Sequence, residues 1–352
     1  MCANKAMRLY GKNDLRLEDI PIPTCGPGQV LTKTLYCGVC GSDFQRVLEG
    51  GVRNFPAALG HEFSAEVVEI GENVNSVKPG DLVCCVPLIV CNVCPHCLDG
   101  NYGQCMKSRF IGDSFPDIGG FHEYNILPEQ NVLKLPEGMD PLTAAFTEPA
   151  SVALHSLLLT GYQPHEDLAI VGVGGIGQLV LQSARAMGGG RIFAFDIVDE
   201  RLETAKKMGA TACFNTSNEG FVEEFMEMTG GLGSPQVIEA VGLEETIKIT
   251  ITLAKVNGRI ELIGSMLNPV TIPARLFYLG FSRKQLWMRG VWMSYSKGYP
   301  GAPWRLATRY LADGRIDIKP LLFEVAAIED AYKSIAQHNI PGVVKGKIVL
   351  KI

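Results

Sequence analysis

The sequence lacks any apolar run long enough to cross a membrane as a helix. Its longest apolar stretch, residues 82–91, is interrupted by Pro87 and falls far short of the roughly 20 residues that a spanning helix needs. Basic charge is not in excess either, because 32 Lys and Arg residues stand against 37 Asp and Glu residues. The net charge of −5 excludes general binding of nucleic acid or another polyanion as the main function.

The first residues also lack the apolar core of a secretory signal, since Lys5 and Lys12 come early. The 11 cysteines are an odd number, which does not suit a framework of disulfides. Free thiols are typical of a reducing compartment, whereas disulfides are typical of secreted domains. We therefore expect a cytoplasmic protein.

Length and composition favour a globular chain of about two domains. Its 352 residues exceed what one ordinary hydrophobic core organises, and 47% hydrophobic with 20% charged residues is close to the globular average. Short β-type segments bounded by Gly, Pro or Asn fill the first part, for example residues 29–35, 65–70 and 81–86. This pattern predicts a β domain.

A change of pattern after about residue 140 predicts an α/β domain. Residues 168–173 and 191–196 are strand-like, and a helical pattern follows each of them. Residues 236–240 and 259–263 continue the series of strands. Strands that alternate with helices form a parallel sheet with covered faces. Because residues 346–350 are again strand-like, we predict a β domain with an α/β domain inserted into it.

Residues 172–177 (GVGGIG) have the G-x-G-x-x-G pattern of a dinucleotide-binding loop, between a predicted strand and a predicted helix. Gly172 permits a tight turn, Gly174 lets the backbone approach a pyrophosphate, and Gly177 lets the helix pack closely against the strand. Amide groups at the start of the helix can bind the phosphates. The alternative is a glycine-rich turn without a ligand.

An acidic residue at the end of the next strand favours NAD over NADP. Asp196 lies about 20 residues after Gly177, where a carboxylate accepts hydrogen bonds from the adenosine ribose and repels a 2′-phosphate. Arg201 is placed to cover the adenine or its ribose, and its positive charge weakens that discrimination. The predicted cofactor-binding residues are Gly172, Gly174, Gly175, Ile176, Gly177, Asp196 and Arg201.

Four cysteines in one short segment predict a metal site. Cys91, Cys94, Cys97 and Cys105 follow the spacing C-x2-C-x2-C-x7-C, which suits a closed tetrahedral zinc site with a structural role. Similar spacing holds iron–sulfur clusters, and disulfides are a further alternative. His96, inside this segment, is interpreted as an exposed loop residue rather than a ligand.

Separate short motifs contain a second set of metal-ligand residue types. Cys40 lies in C-G-S-D, His61 and Glu62 lie in G-H-E, and Glu148 precedes a proline. Taken singly, such a cysteine is more often a core residue and such a histidine more often only hydrogen-bonded. Brought together, these residues would form a catalytic zinc site, in which one position stays open for water or substrate.

Together with Gly71, the four-cysteine set and the glycine loop, these motifs resemble the zinc-dependent medium-chain dehydrogenase/reductase family over essentially the full chain. The resemblance implies a GroES-like β catalytic domain, residues 1–153 and 291–352, and a doubly wound Rossmann domain, residues 154–290. It also implies a zinc- and NAD-dependent alcohol or polyol dehydrogenase with one catalytic and one structural zinc per chain. A homodimer or homotetramer is the implied assembly, and the apolar residues 286–292 are a candidate edge strand for it.

By resemblance, the catalytic zinc ligands are Cys40, His61 and Glu148, and Glu62 is an adjacent acid that coordinates zinc or exchanges with water or Glu148. Two carboxylates fit the polyol branch, because the alcohol dehydrogenase branch uses a second cysteine. Ser42 is predicted to accept the proton of the substrate hydroxyl and to pass it on. The alternative for Ser42 is a local backbone hydrogen bond.

The chain departs from the family pattern at two positions. Gln45 replaces a proton-relaying histidine of many members, and glutamine does not titrate near neutral pH, so the final proton acceptor is left open. Ala65 stands where the zinc signature usually has glycine, which suggests a slightly altered turn rather than loss of zinc.

A narrower resemblance, to the galactitol-1-phosphate 5-dehydrogenase branch, lies in residues 292–296 (WMSYS) and 299–301 (YPG). That branch oxidises a sugar-alcohol phosphate to a ketose phosphate with NAD. A phosphate needs positive charge, for which Arg46, Lys297 and Arg305 are candidates, each with a solvated surface charge as the alternative. The accompanying aromatic residues fit a core or a subunit interface equally well: Trp292, Tyr295, Tyr299 and Trp304.

Two alternative functions stay open at this point. One is the same chemistry on an unphosphorylated polyol such as sorbitol or xylitol, or on another secondary alcohol such as L-threonine. The other is a non-catalytic zinc- and NAD-binding protein. A protein of that kind would be expected to have a broken Cys40, His61 and Glu148 set, whereas all three residues are present here.

Overall fold

The computed structural model describes residues 3–52, 54–113, 115–340 and 343–352. The chain divides into two compact units, of which the first combines Met1–Pro149, Tyr295–Gly314 and Leu321–Ile352, and the second combines Ala150–Ser294 and Arg315–Pro320.

The boundaries between these units differ by a few residues from the predicted domain boundaries. We predicted divisions at 153/154 and 290/291, whereas the units divide at 149/150 and 294/295. In addition, the segment Arg315–Pro320 belongs to the second unit although most of the chain after residue 294 belongs to the first.

Strands and helices are numbered along the chain. The strands are β1 (Ala3–Gly11), β2 (Asp14–Pro21), β3 (Gln29–Gly38), β4 (Ala57–Ala58), β5 (Glu62–Ile70), β6 (Leu82–Cys85), β7 (Leu88–Ile89), β8 (Arg109–Phe110), β9 (Tyr124–Pro128), β10 (Val132–Lys134), β11 (Leu168–Val171), β12 (Ile192–Asp196), β13 (Ala212–Asn215), β14 (Ser234–Glu239), β15 (Ala254–Leu262), β16 (Trp287–Gly290), β17 (Leu322–Ala327) and β18 (Lys347–Lys351). The α-helices are α1 (Gly41–Glu49), α2 (Pro95–Leu98), α3 (Pro141–Ala144), α4 (Thr147–Leu159), α5 (Gly175–Ala186), α6 (Asp199–Lys207), α7 (Phe221–Met228), α8 (Glu244–Leu253), α9 (Ala302–Ala312) and α10 (Ala331–Ala336).

The first unit is built on mainly antiparallel sheets. Its largest sheet has the order β10-β6-β5-β3-β18-β17, with β9 also paired to β3, and smaller sheets have the orders β2-β1-β4 and β7-β8. Phe63, Phe121, Leu127 and Ile348 are almost fully buried in the core of this unit. The β domain predicted from segments 29–35, 65–70 and 81–86 is therefore confirmed, since these segments lie on β3, β5 and β6.

The C-terminal strand completes the largest sheet of the first unit. β18 lies between β17 and β3, and it pairs with β3 in antiparallel register, with Val349 opposite Gly38. On the other side of β3, Glu62 of β5 is also opposite Gly38. This register places the chain's last strand next to the residues that follow β3.

The second unit has a doubly wound parallel sheet. Its strand order is β13-β12-β11-β14-β15-β16, and all of its strand pairs are parallel. All side chains of β11 and β12 are buried. Helices cover both faces of such a sheet, so its strands consist mainly of continuous apolar residues. Phe193, Phe195, Phe214 and Phe225 pack edge-to-face or stacked in its core. The predicted Rossmann fold is thereby confirmed.

Helix α1 is an element that the sequence pattern did not predict. It is short and begins with Gly41 and Ser42, both poor helix formers, so its apolar face of Phe44, Val47 and Leu48 gives only a weak signal. Its packing into the core, rather than its propensity, accounts for its stability. Across the described ranges, no helix combines the length and apolar character that a bilayer crossing requires.

Candidate active site and metal centres

Residues at the start of α1 are held by a buried aspartate. Cys40 precedes the helix in an extended conformation, and Asp43 accepts a hydrogen bond from its backbone amide, 3.0 Å from N to Oδ2. Such a carboxylate in the first turn satisfies a free amide and is stabilised by the helix dipole. Asp43 is fully buried, and its Oδ1 lies 4.0 Å from His61 Nδ1. The C-G-S-D motif thus fixes the backbone at Cys40 and places a negative charge near the histidine ring.

A cysteine, a histidine and a glutamate form a cluster of close ligand atoms. One ligand atom each of Cys40, His61 and Glu62 lies within 4.8 Å of the others. Gly60 makes this placement possible, because its φ of 85° is accessible to glycine and turns the chain just before His61. His61 is 5% exposed and its ring meets that of Phe110 edge-to-face at 5.2 Å. We call Cys40, His61 and Glu62 the three-ligand group.

The electrostatics of the three-ligand group favour a cation. Burial disfavours protonated His61, but the negative charges of Asp43, Cys40 and Glu148 outweigh burial and raise its pKa to about 10. Burial also raises the pKa of Glu148 to about 7. Thiolate, imidazole and carboxylate are the ligand types of zinc, and His61 Nδ1 is a buried nitrogen without a hydrogen-bond partner. The residues present therefore fit a zinc ion.

Glu62 belongs to the three-ligand group, whereas Glu148 lies beside it. We predicted Glu148 as a ligand and Glu62 as the adjacent acid. Among the described residues, the group of mutually close ligand atoms contains Glu62 but not Glu148. Glu148 is in the first turn of α4, and its carboxylate interacts electrostatically with His61 and Glu62. Both carboxylates are thus near the cysteine and the histidine, as the two-carboxylate pattern suggested.

Two further residues of this site were missed by sequence reasoning. Lys347, in β18, forms a salt bridge with Glu62 Oε2. Asp113 accepts a hydrogen bond from Arg46 Nε at 3.2 Å. No sequence signal could have found either contact, because Lys347 and Asp113 lie outside every motif and reach the site only through the folding of distant segments.

Arg46 forms ion pairs within this site. Its Nη1 donates to Ser42 Oγ at 2.8 Å and to Asp43 Oδ1 at 3.3 Å, while Nε donates to Asp113. The side chain is 15% exposed. Since Arg46 donates to Ser42 Oγ, the hydroxyl proton of Ser42 remains free to be donated elsewhere. Arg46 therefore connects Ser42, the predicted proton acceptor, to the carboxylates of Asp43 and Asp113.

The four-cysteine segment forms a second metal centre of different character. One ligand atom of each cysteine lies within 4.8 Å of the others, with Sγ distances of 4.0 Å (Cys91–Cys97), 3.5 Å (Cys94–Cys97) and 3.6 Å (Cys91–Cys105). A tetrahedral zinc site with bonds of about 2.3 Å places sulfurs about 3.8 Å apart. All four are free thiols, which excludes the disulfide alternative in this structure. Backbone amides of Met106 and Cys97 lower the pKa of Cys94 to about 6, which favours the thiolate.

The other candidate cations and the aromatic residues have different surroundings. Lys297 lies against Gly100, between Cys97 and Cys105 in the four-cysteine segment, and Arg305 donates to the carbonyl of Gly298 at 3.3 Å. Tyr295 and Trp304 are core residues, since they are 6% and 0% exposed and stack on each other. Tyr299 stacks on Tyr295, whereas Trp292 is 63% exposed.

The glycine loop of the second unit has the predicted strand–turn–helix context. Gly172 follows β11 with a φ of 90°, and α5 begins at Gly175. A Cβ on Gly177 would collide with the carbonyl oxygen of Gly172, so only glycine permits this close packing. A Cβ on Gly174 or Gly175 would meet no neighbouring atom within 4 Å, which leaves open space on that side of the loop. The loop thus has room for a ligand at the helix start.

Asp196 connects the end of β12 to the glycine loop. Its Oδ2 accepts a hydrogen bond from the amide of Val173 at 2.9 Å, and Oδ1 accepts one from Val198 at 3.0 Å. Arg201 Nη1 lies 3.7 Å from Oδ1. Each carboxylate oxygen has a second lone pair, so these contacts leave acceptor capacity for a ribose.

Comparison with known proteins places both units in one family. Residues 26–137 match the alcohol dehydrogenase GroES-like domain, and residues 175–308 match the zinc-binding dehydrogenase domain. Galactitol 1-phosphate 5-dehydrogenase of Escherichia coli strain K12 is 35% identical over 318 residues, which cover 89% of this chain and 91% of that enzyme. D-xylulose reductase A of Aspergillus oryzae is 33% identical over 337 residues, which cover 93% and 91%.

Similarity in structure agrees with similarity in sequence. The crystal structure of galactitol-1-phosphate dehydrogenase from Escherichia coli superposes with a TM-score of 0.94 at 31% identity, covering 99% of this chain and 100% of that chain. The match covers both units. The chain therefore belongs to the zinc-dependent medium-chain dehydrogenase/reductase family, among its polyol and secondary-alcohol dehydrogenases, which are oxidoreductases.

Proposed function

We propose that this chain oxidises a secondary hydroxyl of a sugar-alcohol phosphate, of the galactitol 1-phosphate kind, to the ketose phosphate with NAD. The observation that supports the reaction class is the three-ligand group, in which His61 and Glu62 are buried, with Glu148 beside it and Ser42 two residues after Cys40. Similarity to galactitol 1-phosphate 5-dehydrogenase over 89% of the chain supports the phosphorylated substrate.

Cys40 and His61, with Glu62 or Glu148, would hold the catalytic zinc. A zinc ion at this place supplies a Lewis acid that lowers the pKa of an alcohol hydroxyl. Asp43 contributes by holding the Cys40 backbone and by placing a negative charge 4.0 Å from His61 Nδ1, and Phe110 packs against the ring and limits its motion. Cys91, Cys94, Cys97 and Cys105 would hold the structural zinc, with all four positions filled by thiolates.

Ser42 is the residue that moves the substrate proton in this proposal. Its Oγ receives one hydrogen bond from Arg46 and keeps one lone pair for the substrate hydroxyl, while its own proton is free to leave. The positive charge of Arg46 favours this proton release. Gln45, on the same helix, cannot titrate, so we assign it no proton-transfer step.

The second unit would bind NAD, which accepts the hydride. Gly172, Gly174 and Gly177 allow the loop to approach the pyrophosphate, and the amides at Gly175 and Ile176 start the helix that faces it. Asp196 would accept hydrogen bonds from the ribose hydroxyls, and Arg201 would cover the adenine side. The carboxylate of Asp196 favours NAD over NADP because it repels a 2′-phosphate.

A second candidate substrate, an unphosphorylated polyol, is favoured by one observation. Arg46, a candidate for binding phosphate, is already paired with Asp43 and Asp113. A guanidinium that is neutralised by two carboxylates attracts a phosphate less than a free one does. Similarity to D-xylulose reductase A is consistent with this candidate.

The two candidates are separated by initial rates of NADH formation. The substrates are galactitol 1-phosphate, sorbitol 6-phosphate, galactitol, sorbitol, xylitol and L-threonine, each at several concentrations. A preference of at least about tenfold in kcat/KM for a phosphorylated hexitol, about 1.4 kcal/mol, supports the first candidate. Equal or faster turnover of the free polyols overturns it and supports the second. Activity on none of them, with NAD and zinc bound, would contradict both.

We also propose that the chain forms a homo-oligomer. β16 is the last strand in the order of the parallel sheet, and Trp287 on it is 75% exposed. An edge strand with exposed apolar side chains can pair with a second copy across a two-fold axis. Light scattering on the purified protein distinguishes a monomer, which would contradict the proposal, from a dimer or tetramer.

A further inference from the structure

The four-cysteine segment lies between the two strands of a small sheet. β7 ends two residues before Cys91 and β8 begins four residues after Cys105, and the two strands pair in antiparallel register with Leu88 opposite Phe110. The first and last cysteines are themselves close, with their Sγ atoms 3.6 Å apart, and the amide of Cys91 donates to Cys105 Sγ at 3.4 Å. A metal ion bound to both thiolates would therefore hold together the two points from which β7 and β8 extend.

Two tyrosines from outside this segment fix β7. The amide of Leu88 donates to Tyr295 Oη at 3.0 Å, and Tyr299 Oη donates to the carbonyl of Leu88. Asn131, which is fully buried, donates from Nδ2 to the same carbonyl at 3.0 Å. Both backbone polar groups of Leu88 are thus bound by side chains, as buried main-chain groups need to be. These two tyrosines therefore hold the strand that leads into the four-cysteine segment.

The bridging segment, residues 109–113, begins with β8 and packs against the three-ligand group. The ring of Phe110 meets that of His61 edge-to-face, with the ring centres 5.2 Å apart. Gly112 has a φ of 78°, and a Cβ on it would lie 2.2 Å from the carbonyl oxygen of Gly60, the residue before His61. Only glycine permits so close an approach of the two backbones. The position of His61 therefore depends on where the bridging segment lies.

The last residue of the bridging segment forms a polar contact with helix α1. Asp113 Oδ1 accepts a hydrogen bond from Arg46 Nε at 3.2 Å, and both side chains are mostly buried. Arg46 also donates to Asp43 Oδ1 at 3.3 Å, and Oδ2 of the same carboxylate accepts from the amide of Cys40. Charge-assisted hydrogen bonds are among the stronger contacts in a folded chain. They connect the bridging segment to the helix start that follows Cys40.

We propose that the four-cysteine centre positions the three-ligand group. When the four thiolates bind zinc, β7 and β8 are fixed, and the bridging segment then holds His61 and the start of α1 in place. Loss of metal from the cysteines would leave β7 and β8 free to move and would weaken zinc binding at the three-ligand group. The inference rests on the proposed function, because it assumes zinc at both centres. The alternative is a four-cysteine centre that stabilises only its own segment, in which case the two centres bind zinc independently.

The experiment measures the equilibrium zinc affinity of each centre by competition with a chelator of known affinity. Cys97→Ser disables the four-cysteine centre, and the zinc affinity of the three-ligand group should then fall by about tenfold, as it typically does when the surroundings of a metal ligand are disturbed. Cys40→Ser should weaken the four-cysteine centre by a similar factor, because coupling between two binding sites is reciprocal. Cys213→Ser, outside both centres, should leave both affinities unchanged. An unchanged affinity of the remaining centre in both Cys97→Ser and Cys40→Ser overturns the proposal.

A double-mutant cycle tests whether the coupling uses the bridging segment. Phe110→Leu keeps an apolar side chain but removes the ring contact with His61, and Asp113→Asn removes the charge that binds Arg46. In a chain with both substitutions, Cys97→Ser should no longer weaken the three-ligand group, because the contacts through which the centre acts are gone. An effect of Cys97→Ser that is equal in both backgrounds overturns the proposal.

Tyr299→Phe keeps every metal ligand and provides the same test if Cys97→Ser does not fold. The new ring can still stack on Tyr295 but cannot donate to the carbonyl of Leu88, so β7 is held less firmly. The zinc affinity of the three-ligand group should fall by about threefold or more. Tyr332→Phe, on α10 and partly exposed, is the matched control and should not change it. An unchanged affinity in Tyr299→Phe also overturns the proposal.

A general loss of stability and a failure of the proposed function give different results. Leu127→Ala, at a fully buried core position on β9, should lower Tm but leave both zinc affinities unchanged. A loss of affinity in Leu127→Ala as large as in Tyr299→Phe would overturn the proposal. Coupled zinc affinities in a chain that oxidises no alcohol would support this inference and contradict the proposed function. Oxidation of a polyol by a chain with independent zinc affinities would overturn only the inference.

Discussion

Arg46 Nη1 donates to Ser42 Oγ at 2.8 Å, one helical turn away on the same helix. The same guanidinium binds Asp113, which lies on a distant loop, so one side chain connects the predicted proton acceptor to a separate segment. Arg46 consequently has two candidate roles, phosphate binding and orientation of Ser42, and substrates with and without a phosphate distinguish them.

The proposed phosphate contact predicts a substrate-dependent effect of Arg46→Met. We expect KM for galactitol 1-phosphate to rise by about tenfold or more, because a charge-assisted hydrogen bond contributes about 1.5–3 kcal/mol. KM for galactitol should change little, and kcat should fall for both substrates because Ser42 loses its donor. Arg16→Met, at an exposed ion pair with Asp14, is a control that should leave all constants unchanged. An equal rise of KM for both substrates would contradict the phosphate contact.

Removal of one thiolate from the four-cysteine centre should release one zinc ion and strongly lower the stability of the folded chain. Cys97→Ser is expected to lower the zinc content from two to one per chain and to reduce Tm, because a structural zinc contributes directly to folding. Metal analysis and thermal melting measure the two effects. Cys213→Ser, outside both centres, should keep both zinc ions. Iron in the purified protein, visible as absorption in the near ultraviolet and blue, would instead indicate an iron–sulfur cluster.

The carboxylate of Asp196 should set the preference between the two nicotinamide cofactors. Asp196→Asn keeps an oxygen that can accept from the amide of Val173 but removes the charge that repels a 2′-phosphate. The ratio of kcat/KM for NAD to that for NADP should therefore fall by at least about tenfold, or about 1.4 kcal/mol. Asp199→Asn, at an exposed position nearby, is the control. An unchanged ratio in Asp196→Asn would exclude this role.

A buried glutamate of the second unit predicts a pH dependence of stability. Burial raises the pKa of Glu261 from 4.5 to about 7, although Thr160 and Gln236 lie close enough to oppose the rise. The pKa of Glu261 is higher in the folded state than in the unfolded state. Below about pH 4.5 the carboxyl is protonated in both states, so it does not lower the free energy of unfolding. Ionisation then destabilises the fold progressively as the pH rises through 7. The full effect is on the order of 3 kcal/mol.

Glu261→Gln removes this ionisation. Its Tm relative to the unmodified protein should therefore increase between pH 5 and pH 8, as measured by thermal melting at each pH. Glu245→Gln, at an exposed position of α8, should show no such trend. A difference in Tm between Glu261→Gln and the unmodified protein that does not change with pH would contradict an ionisation within this range.

Local spacing was sufficient to predict much of the fold and one complete metal centre. The four cysteines lie in one segment, so their spacing alone restricts how far apart their sulfurs can be, and the structure brings all four together. The glycine loop, β11, α5 and Asp196 are likewise close in sequence, and each was predicted where it lies. Continuous apolar runs indicated the buried parallel strands for the same reason, because burial on both faces acts on every residue of a strand.

Contacts between distant segments were decided only by the tertiary structure. That Glu62 rather than Glu148 joins Cys40 and His61 in the closest group depends on where β5 and α4 begin. That Lys347 meets Glu62 depends on the register of β18 against β3, and on the space that Gly38 leaves. A shift of one residue in that register would turn Lys347 to the opposite face of the sheet. The sequence by itself thus determined which residues are able to bind metal and cofactor, whereas strand register decided which charges surround them.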